Sequence, residues 1–428
     1  MTANMELHTD AGTKTARAGF DIWKRLVLRQ LQKLERGCVA LTHGEETLNF
    51  GSGSPVARLV VNDPTFFRKV ALGGSVGAGE AYVAGMWDCD DLVALVRIFS
   101  LNAAALGGLD GARTGSSQLR DWLGHLWRRN SVSGSKRNIM AHYDLSNEFF
   151  ASFLDSKMMY SSAVFESEGQ ALEAASTAKL DRLCQKLELG PEDHLLEIGT
   201  GWGGLAVHAA RNFGCRVTTT TISPAQHRFA TQRVIEAGLQ DRVDVLLEDY
   251  RNLEGRFDKV VSVEMVEAVG HEYLPVYFST LNDLVRDDGL IVLQAITIED
   301  RRYRRALNSV DFIKKHIFPG SFIPCVSVLV SAAAKHTDAV LVNLEDIGLD
   351  YAWTLAAWSE RLEANQDRII ELGLDDTLLR TWRFYLAYCE GGFRERAISD
   401  VQVVFAKPGY RGRPWRAAMA AGSTDKGP

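Results

Sequence analysis

The sequence predicts an α/β protein built on a doubly wound, mostly parallel sheet, with a smaller mixed domain ahead of it. Three observations predict this. From about residue 176 short apolar runs alternate with helical patterns. One of those runs ends in a glycine-rich turn that opens a helix. The 428-residue length leaves room for a second domain, and a Gly/Ser/Thr-rich stretch over 107–118 reads as a joint between the two.

In chain order, residues 1–16 are polar and read as a disordered tail. Residues 17–110 read as an amino-terminal mixed α/β domain. There Leu41, Leu48 and Phe50 sit around a Gly/Glu turn, and Val56 to Val61 reads as a strand. Gly79-Glu80-Ala81-Tyr82 reads as the opening of a helical pattern ending in Gly85-Met86-Trp87-Asp88. The most apolar stretch, Leu92 to Leu109, is interrupted by Arg97, Ser100 and Asn102 and reads as a core helix plus loop, not a membrane span. Residues 111–135 read as linker and amphipathic helix. The helical pattern, over 119–138, carries Arg128, Arg129, Lys136 and Arg137, either a solvated face or a contact for anionic lipid.

Residues 136–410 read as the main domain, followed by a tail over 411–428. Leu195 to Ile198, Val217 to Ile222, Val243 to Leu247, Lys259 to Val263 and Leu290 to Ile296 read as strands. Leu205 to Phe213 and Pro224 to Ala237 read as helices, the second with proline just inside its start, where a missing N–H does no harm. Residues 300–340 break the rhythm and read as an insertion, and Val401 to Phe405 as a late edge strand.

Composition narrows the function. A formal net charge of −6 supplies no basic field for nucleic acid. Six cysteines without a CxxC or Cys/His cluster argue against a zinc site and a disulfide framework, so a reducing cytoplasm is expected. The first thirty residues contain no apolar core of a signal peptide, so any membrane contact would be peripheral.

The sharpest motif is Glu197-Ile198-Gly199-Thr200-Gly201-Trp202-Gly203-Gly204, between strand and helix. Glycines there let backbone N–H groups approach a cofactor. Gly199, Gly201 and Gly204 also satisfy G-x-G-x-x-G, so a dinucleotide site competes with a methyl-donor site in this Rossmann-like setting. An NAD site wants an acid at the end of the second strand, where this chain has Thr220-Thr221-Ile222-Ser223. The acid Glu197, two residues before the first glycine, fits the methionine end of S-adenosylmethionine. Asp249 and Tyr250 follow the third strand, where an acid can accept the adenine amine and an aromatic ring can cover its face.

Several ordered segments together resemble the cyclopropane fatty acid synthase family, which includes the mycolic acid cyclopropane synthases. They are His142 to Phe150, Met159 to Ala163, Gly199 to Gly204, Thr221 to Gln226, Glu264 to Gly270, Phe312 to Gly320 and Asp350-Tyr351. The likeness runs from about residue 75 to 407. It implies a class I methyltransferase fold with a helical insertion. It further implies a cofactor pocket lined by Tyr160, Ser161, Gly199, Gly201, Thr221, Ile222, Gln226, Asp249 and Tyr250, to which the glycine motif itself adds Glu197 and Gly203. The resemblance also implies a bicarbonate ion held by Ser162, Glu267, Gln294, the backbone of Ile296, and Tyr351. Ser162 stands where the family usually has Cys, Gln294 where it has His, and Ala268 where a His is common.

The implied reaction adds a carbon from S-adenosylmethionine across a cis double bond of an unsaturated phospholipid acyl chain, through a carbocation that a base deprotonates. Tyr143, Phe149, Phe150, Tyr160, Phe165 and Tyr273 are candidates to face the cation. Proton loss that closes a ring gives a cyclopropane. Proton loss that forms an exocyclic double bond gives a methylene branch, which a separate reductase could turn into a methyl branch. Arg301, Arg302, Arg304, Arg305, Lys314 and Lys315 form a basic cluster suited to lipid headgroups at an inner membrane surface. A homodimer through the amino-terminal domain is a further expectation. A small-molecule N- or C-methyltransferase and a non-catalytic cofactor- or lipid-binding protein are the competing readings.

Overall fold

The computed structural model describes residues 22–106, 145–167 and 169–412. They fall into two compact units. The first takes the described residues within Met1–Arg120 together with Asp375–Gly391, and the second those within Asp121–Leu374 and Gly392–Pro428. Asp375–Gly391 is thus grouped with the amino-terminal unit, apart from the rest of the expected 136–410 stretch. The expected tail over 1–16, the joint over 107–118, the amphipathic helix over 119–138 and most of 411–428 lie outside the described residues.

In the first unit, strands β1 (Gly37–His43), β2 (Glu46–Ser52), β3 (Val56–Val61) and β4 (Trp87–Cys89) form a sheet in the order β2-β1-β3-β4. Alternation places Val39, Leu41, Ala57, Leu59 and Val61 in the core. The helix Leu92–Leu101 is started by Asp91, whose side chain accepts the Ala94 N–H, and it buries Ala94, Leu95 and Ile98. Gly79-Glu80-Ala81-Tyr82 lies near the end of a helical stretch instead of opening one: Thr65–Val83 is broken at Gly74, where φ is +57°, and after its second part the chain turns into β4. Trp87 is buried and donates its indole N–H to the Ala78 carbonyl at 2.9 Å. Arg380, from the returning segment, lies over the Tyr82 ring at 4.1 Å and donates to Asp88 at 2.8 Å.

The second unit is a seven-stranded sheet. Its strands are β5 (His194–Ile198), β6 (Arg216–Thr221), β7 (Val243–Leu247), β8 (Phe257–Val263), β9 (Val285–Ile298), β10 (Val340–Asp346) and β11 (Ile398–Ala406). The order is β10-β11-β9-β8-β5-β6-β7, and β11 alone runs against the rest. Successive residues feed opposite faces. Leu196, Val260, Ile291 and Val403 join one apolar cluster with the helices Leu274–Leu284 and Val326–His336. Leu195, Val261, Val292 and Val404 join the other with the helices Leu172–Lys186 and Gly204–Phe213. The inner strands are buried on both sides because helices cover both, which makes β5 and β8 and the second half of β9 largely apolar runs.

β6 is as buried but carries four successive threonines. Branching at Cβ suits them to a strand, and each hydroxyl finds a partner. Thr218 bonds the His194 ring at 2.9 Å, Thr219 donates to Glu197 at 2.6 Å, Thr220 to the Glu248 carbonyl at 2.6 Å and Thr221 to Gln226 at 2.8 Å.

Two expectations are corrected. Val401 to Phe405 belongs to an interior strand, β11, flanked by β9 and β10. The edge on that side is β10, which begins where the 300–340 insertion ends and was not expected as a strand. Its Val340, Leu341, Val342 and Leu344 side chains are exposed, so no burial pattern marks it. The insertion itself is helical: Asp300–Leu307, a single π turn over Ile313–Ile317, and Val326–His336.

Candidate active site

Ligands of open α/β sheets sit at the carboxyl ends of the strands, where the strand order reverses. Here that point lies between β5 and β8. The expected cofactor residues gather along that edge. Gly199 follows β5 with φ +101°, and a Cβ there would come within 3.3 Å of Met265 Cγ. Gly203 caps the next helix with φ +81°, and its Cβ would meet Ala230 Cβ at 3.0 Å. Both backbone conformations favour glycine, and the loop they shape leaves room for a cofactor to approach the main chain.

Glu197 is buried at the end of β5, and burial pushes its carboxyl up to about 8 against the Thr219 hydroxyl bond and the charge of Lys179. Thr221 and Gln226 are bonded to each other at the end of β6, beside Ile222, and Ser223 caps the helix Pro224–Glu236 by accepting the Gln226 N–H. Asp249, after β7, is clasped by Arg251 through Nε at 2.8 Å and a terminal nitrogen at 2.6 Å. Tyr250 beside it stands edge-on to Tyr277. Ser161 accepts a bond from the buried Lys179 ammonium at 2.9 Å. This edge offers a glycine cradle, a buried acid and a hydroxyl–amide pair, a donor set that fits S-adenosylmethionine. Glu197 and Gly199 to Gly203 would hold its methionine end, Thr221 and Gln226 its ribose, and Asp249 and Tyr250 its adenine.

Tyr160 belongs to a run of rings. Its centroid lies 5.5 Å from Phe150 and 5.4 Å from Trp358. Phe150 meets Trp202 at 5.0 Å, and Trp358 meets Tyr351 at 6.1 Å. Phe149 is fully buried against Phe150 and Phe153. Phe165 packs on Trp353. Tyr143 lies outside the described residues.

The strip carrying Ser161 and Ser162 is fastened to the helix Gly348–Ala364. Ala163 donates its N–H to Thr354 and Phe165 to Asp350. That same helix delivers Tyr351.

Of the five residues expected around a bicarbonate ion, three meet on Glu264 and the other two, Ile296 and Glu267, pair with each other. Glu264, at the end of β8, accepts the Ser162 N–H at 2.8 Å, the Gln294 side-chain amide at 2.8 Å and the Tyr351 hydroxyl at 2.7 Å. The Ser162 hydroxyl is turned to the Ala163 carbonyl. Glu267 accepts the Ile296 N–H at 2.5 Å. Every donor of the expected set is therefore engaged by a protein oxygen. An added anion would also face the Glu264, Glu267 and Asp400 carboxyls, with Lys179 as a cation that acts on Glu264 and Asp400. The residues present do not fit a bicarbonate ion.

Asp400 was not expected here. β11 runs antiparallel, so its beginning lies at the edge where the parallel strands end. Pairing sets Asp400 opposite Ile296 and Gln402 opposite Gln294. The Gln294 amide also donates to Asp400 at 3.0 Å, and Gln402 donates to the Gln294 carbonyl oxygen at 3.0 Å. Burial and the neighbouring carboxylates push Asp400 far above the usual range; burial raises Glu264 too, but its three donors and Lys179 oppose that, so of the pair Asp400 is the one that holds the proton. Burial, together with the Glu264 charge, lifts Glu267 to about 8.

Glu264 adopts φ +48°, a left-handed conformation that costs a non-glycine residue about 1 kcal/mol. A glutamate directly after an apolar strand is the signal that could have singled it out. For Asp400 and Gln402 the signal is two polar residues alternating with valines. Lys314, expected in the basic surface cluster, is instead buried and donates to the Ala306 and Ser309 carbonyls.

The family profile described as "Mycolic acid cyclopropane synthetase" matches residues 131–403. The chain is 35% identical to the tuberculostearic acid methyltransferase UfaA1 of Mycobacterium tuberculosis, over 92% of this chain and 93% of that protein. It is also 35% identical to the cyclopropane-fatty-acyl-phospholipid synthase of Escherichia coli K12, over 83% and 89%. The crystal structure of mycolic acid cyclopropane synthase CmaA1, complexed with SAH and CTAB, superposes with a TM-score of 0.60 at 30% identity. That match covers 64% of this chain and 98% of CmaA1. With the sheet order, the glycine cradle and these likenesses in place, the chain belongs to the mycolic acid cyclopropane synthetase family and is an S-adenosylmethionine-dependent methyltransferase.

Proposed function

We propose that this enzyme methylates a cis double bond in an unsaturated phospholipid acyl chain and releases a methylene-branched chain. The observation that carries the reading is the continuous run of rings from Trp202 through Phe150, Tyr160 and Trp358 to Tyr351, which ends on a carboxylate. An alkene is a weak nucleophile and becomes a cation when it gains a methyl group. Bound S-adenosylmethionine supplies the electrophilic methyl carbon. The rings offer negative faces to the cation and keep water from trapping it. The carboxylates beyond them offer a place for the proton.

In either outcome the proton leaves the added carbon. Immediate loss, with ring closure, gives a cyclopropane. A hydride shift first, moving the cation to the carbon that bears the new methyl group, gives an exocyclic double bond. The likeness to a tuberculostearic acid methyltransferase over nearly the whole chain supports the second course, as do Ser162, Gln294 and Ala268 in place of Cys, His and His. A separate reductase would then be needed to reach a methyl branch.

No helix among the described residues is long and apolar enough to cross a membrane. Contact with lipid is proposed to be peripheral, at an inner membrane surface, with the exposed Arg301, Arg302 and Arg304 of the helix Asp300–Leu307 toward the headgroups.

The test is incubation of the purified chain with methyl-labelled S-adenosylmethionine and vesicles of monounsaturated phosphatidylglycerol, followed by mass spectrometry and NMR. Exocyclic vinylidene protons carrying the label are expected. A cyclopropane signal without them would overturn the product, and methylation of amines but not of lipid would overturn the substrate.

A further inference from the structure

We propose that this enzyme works without a bound oxyanion, and that the Glu264 carboxylate accepts the proton released from the added carbon. The inference deepens the function proposed above and rests on it.

The argument is one of occupied donors. An anion beside the reacting carbon would need the Ser162 N–H, the Gln294 amide, the Tyr351 hydroxyl and the Ile296 N–H. The first three already converge on the two oxygens of Glu264, at 2.7 to 2.8 Å. The fourth is taken by Glu267. Glu264 is covalently fixed to the end of β8, so it needs no uptake step and stays in place between turnovers. Its left-handed backbone directs a charged side chain into the cluster at a position that glycine would occupy without strain.

Two other carboxyls stand nearby, and neither serves as well. Asp400 is fully enclosed and faces both Glu264 and Glu267, so it holds a proton already. Glu267 is pushed up to about 8 and is mostly protonated at neutral pH. Burial raises Glu264 as well, but three donors and the buried Lys179 oppose that rise, and of the three carboxyls it alone collects donors from Ser162, Gln294 and Tyr351 together. Tyr351 joins Glu264 to the run of rings, which places this carboxylate at the end of the surface offered to the cation.

The step balances. The π electrons of the alkene form the new C–C bond as the C–S bond of the donor breaks, with its electrons going to sulfur. A C–H bond of the added carbon then breaks: directly, its electrons close the ring, and after a hydride has shifted from the methyl-bearing carbon to the cationic one, they form the exocyclic double bond. The proton goes to Glu264, which becomes a neutral acid and returns the proton to solvent on product release.

The experiment compares turnover on monounsaturated phosphatidylglycerol vesicles in carbon-dioxide-free buffer with and without bicarbonate. In parallel, bicarbonate is titrated calorimetrically into the enzyme. The wild type should turn over equally in both buffers, within about twofold, and bind no bicarbonate. Glu264→Gly should keep its affinity for S-adenosylmethionine, lose at least about 100-fold in turnover, and gain both saturable bicarbonate binding and partial rescue by bicarbonate or formate. Glu264→Gln, which keeps the side-chain volume, should lose as much and not be rescued. The proposal falls if stripping bicarbonate slows the wild type and adding it back restores the rate. It falls too if the wild type binds bicarbonate, if either variant stays active without it, or if a Glu264→Gly enzyme that still binds S-adenosylmethionine cannot be rescued. Should no lipid be methylated under any condition, the function proposed above fails. The bicarbonate titration still judges the role of Glu264 by itself.

Discussion

Single residues set the charge state of the site. Glu197, ordinarily a 4.5 acid, is pushed up to about 8 by burial. Between those values the folded chain keeps a proton that the unfolded chain has released, so stability falls as pH rises through the window and levels off above it. Glu267 acts in the same direction. The thermal midpoint of the cofactor-free enzyme should therefore drop as pH rises from about 5 to about 8. Glu197→Gln should flatten that slope in part, because the share of Glu267 remains. Thermal denaturation across that range checks both. Tyr351 donates one of three bonds to Glu264. Tyr351→Phe should lower turnover about 10- to 100-fold while S-adenosylmethionine affinity changes less than about threefold, since the lost bond stabilises a carboxylate and not the cofactor. Steady-state kinetics beside a binding titration separates the two.

Elements carry these residues to one another, and their seats are tight. The helix Gly348–Ala364 begins against β11. A Cβ on Gly348 would collide with the Ser399 side chain and come within 3.0 Å of its Cα. Gly348→Ala should push the helix outward, cost about 1–3 kcal/mol of stability, and loosen the Tyr351–Glu264 bond that the helix positions. Denaturant unfolding measures the first effect and turnover the second. β10 is an exposed edge strand, yet its Glu345 reaches two cations of the helix Leu172–Lys186. They are Arg182 at 2.6 Å and the fully buried Lys186 at 2.6 Å. Burial brings Lys186 down to about 8 despite that carboxylate. Glu345→Ala deprives a buried ammonium of its counter-ion and should cost about 2–3 kcal/mol, read as a lower denaturant midpoint.

At the scale of the whole molecule, the chain leaves its main unit and returns to it. Asp375–Gly391 belongs with the amino-terminal unit, where Leu379, Trp382, Phe384, Tyr385 and Leu386 are buried and Phe384 lies 5.8 Å from Tyr82. A truncation beginning near residue 131, where the family match starts, would strip that segment of its partners and expose an apolar patch. Such a fragment should aggregate. Polar replacements at Leu379, Trp382 and Phe384 should restore it to solution, which gel filtration would show. Ending the chain before β11 should be worse, because β11 is the second strand from one edge and its loss strands β10 as well as uncovering β9.

The sequence by itself determined the alternating sheet, the glycine turn and the residues along the cofactor edge. Those features are local: apolar periodicity, a strand–turn–helix junction and ordered motifs can be read without knowing what folds against what. It also named Ser162, Gln294, Ile296 and Tyr351 as one set, but not the carboxylate on which three of them meet. Glu264 lay inside a recognised segment and was passed over for Glu267, since nothing linear says which of two glutamates three residues apart will collect the donors. Only the tertiary structure decided that, by setting Ser162, Gln294 and Tyr351 around one carboxylate. Asp400 and Gln402 entered for the same reason. They lie more than one hundred residues from Gln294, and a single antiparallel strand among parallel ones turns its first residues toward the edge where the others end. Strand direction and register are properties of the assembled sheet, so the partners of a buried charge become visible only once the sheet is built.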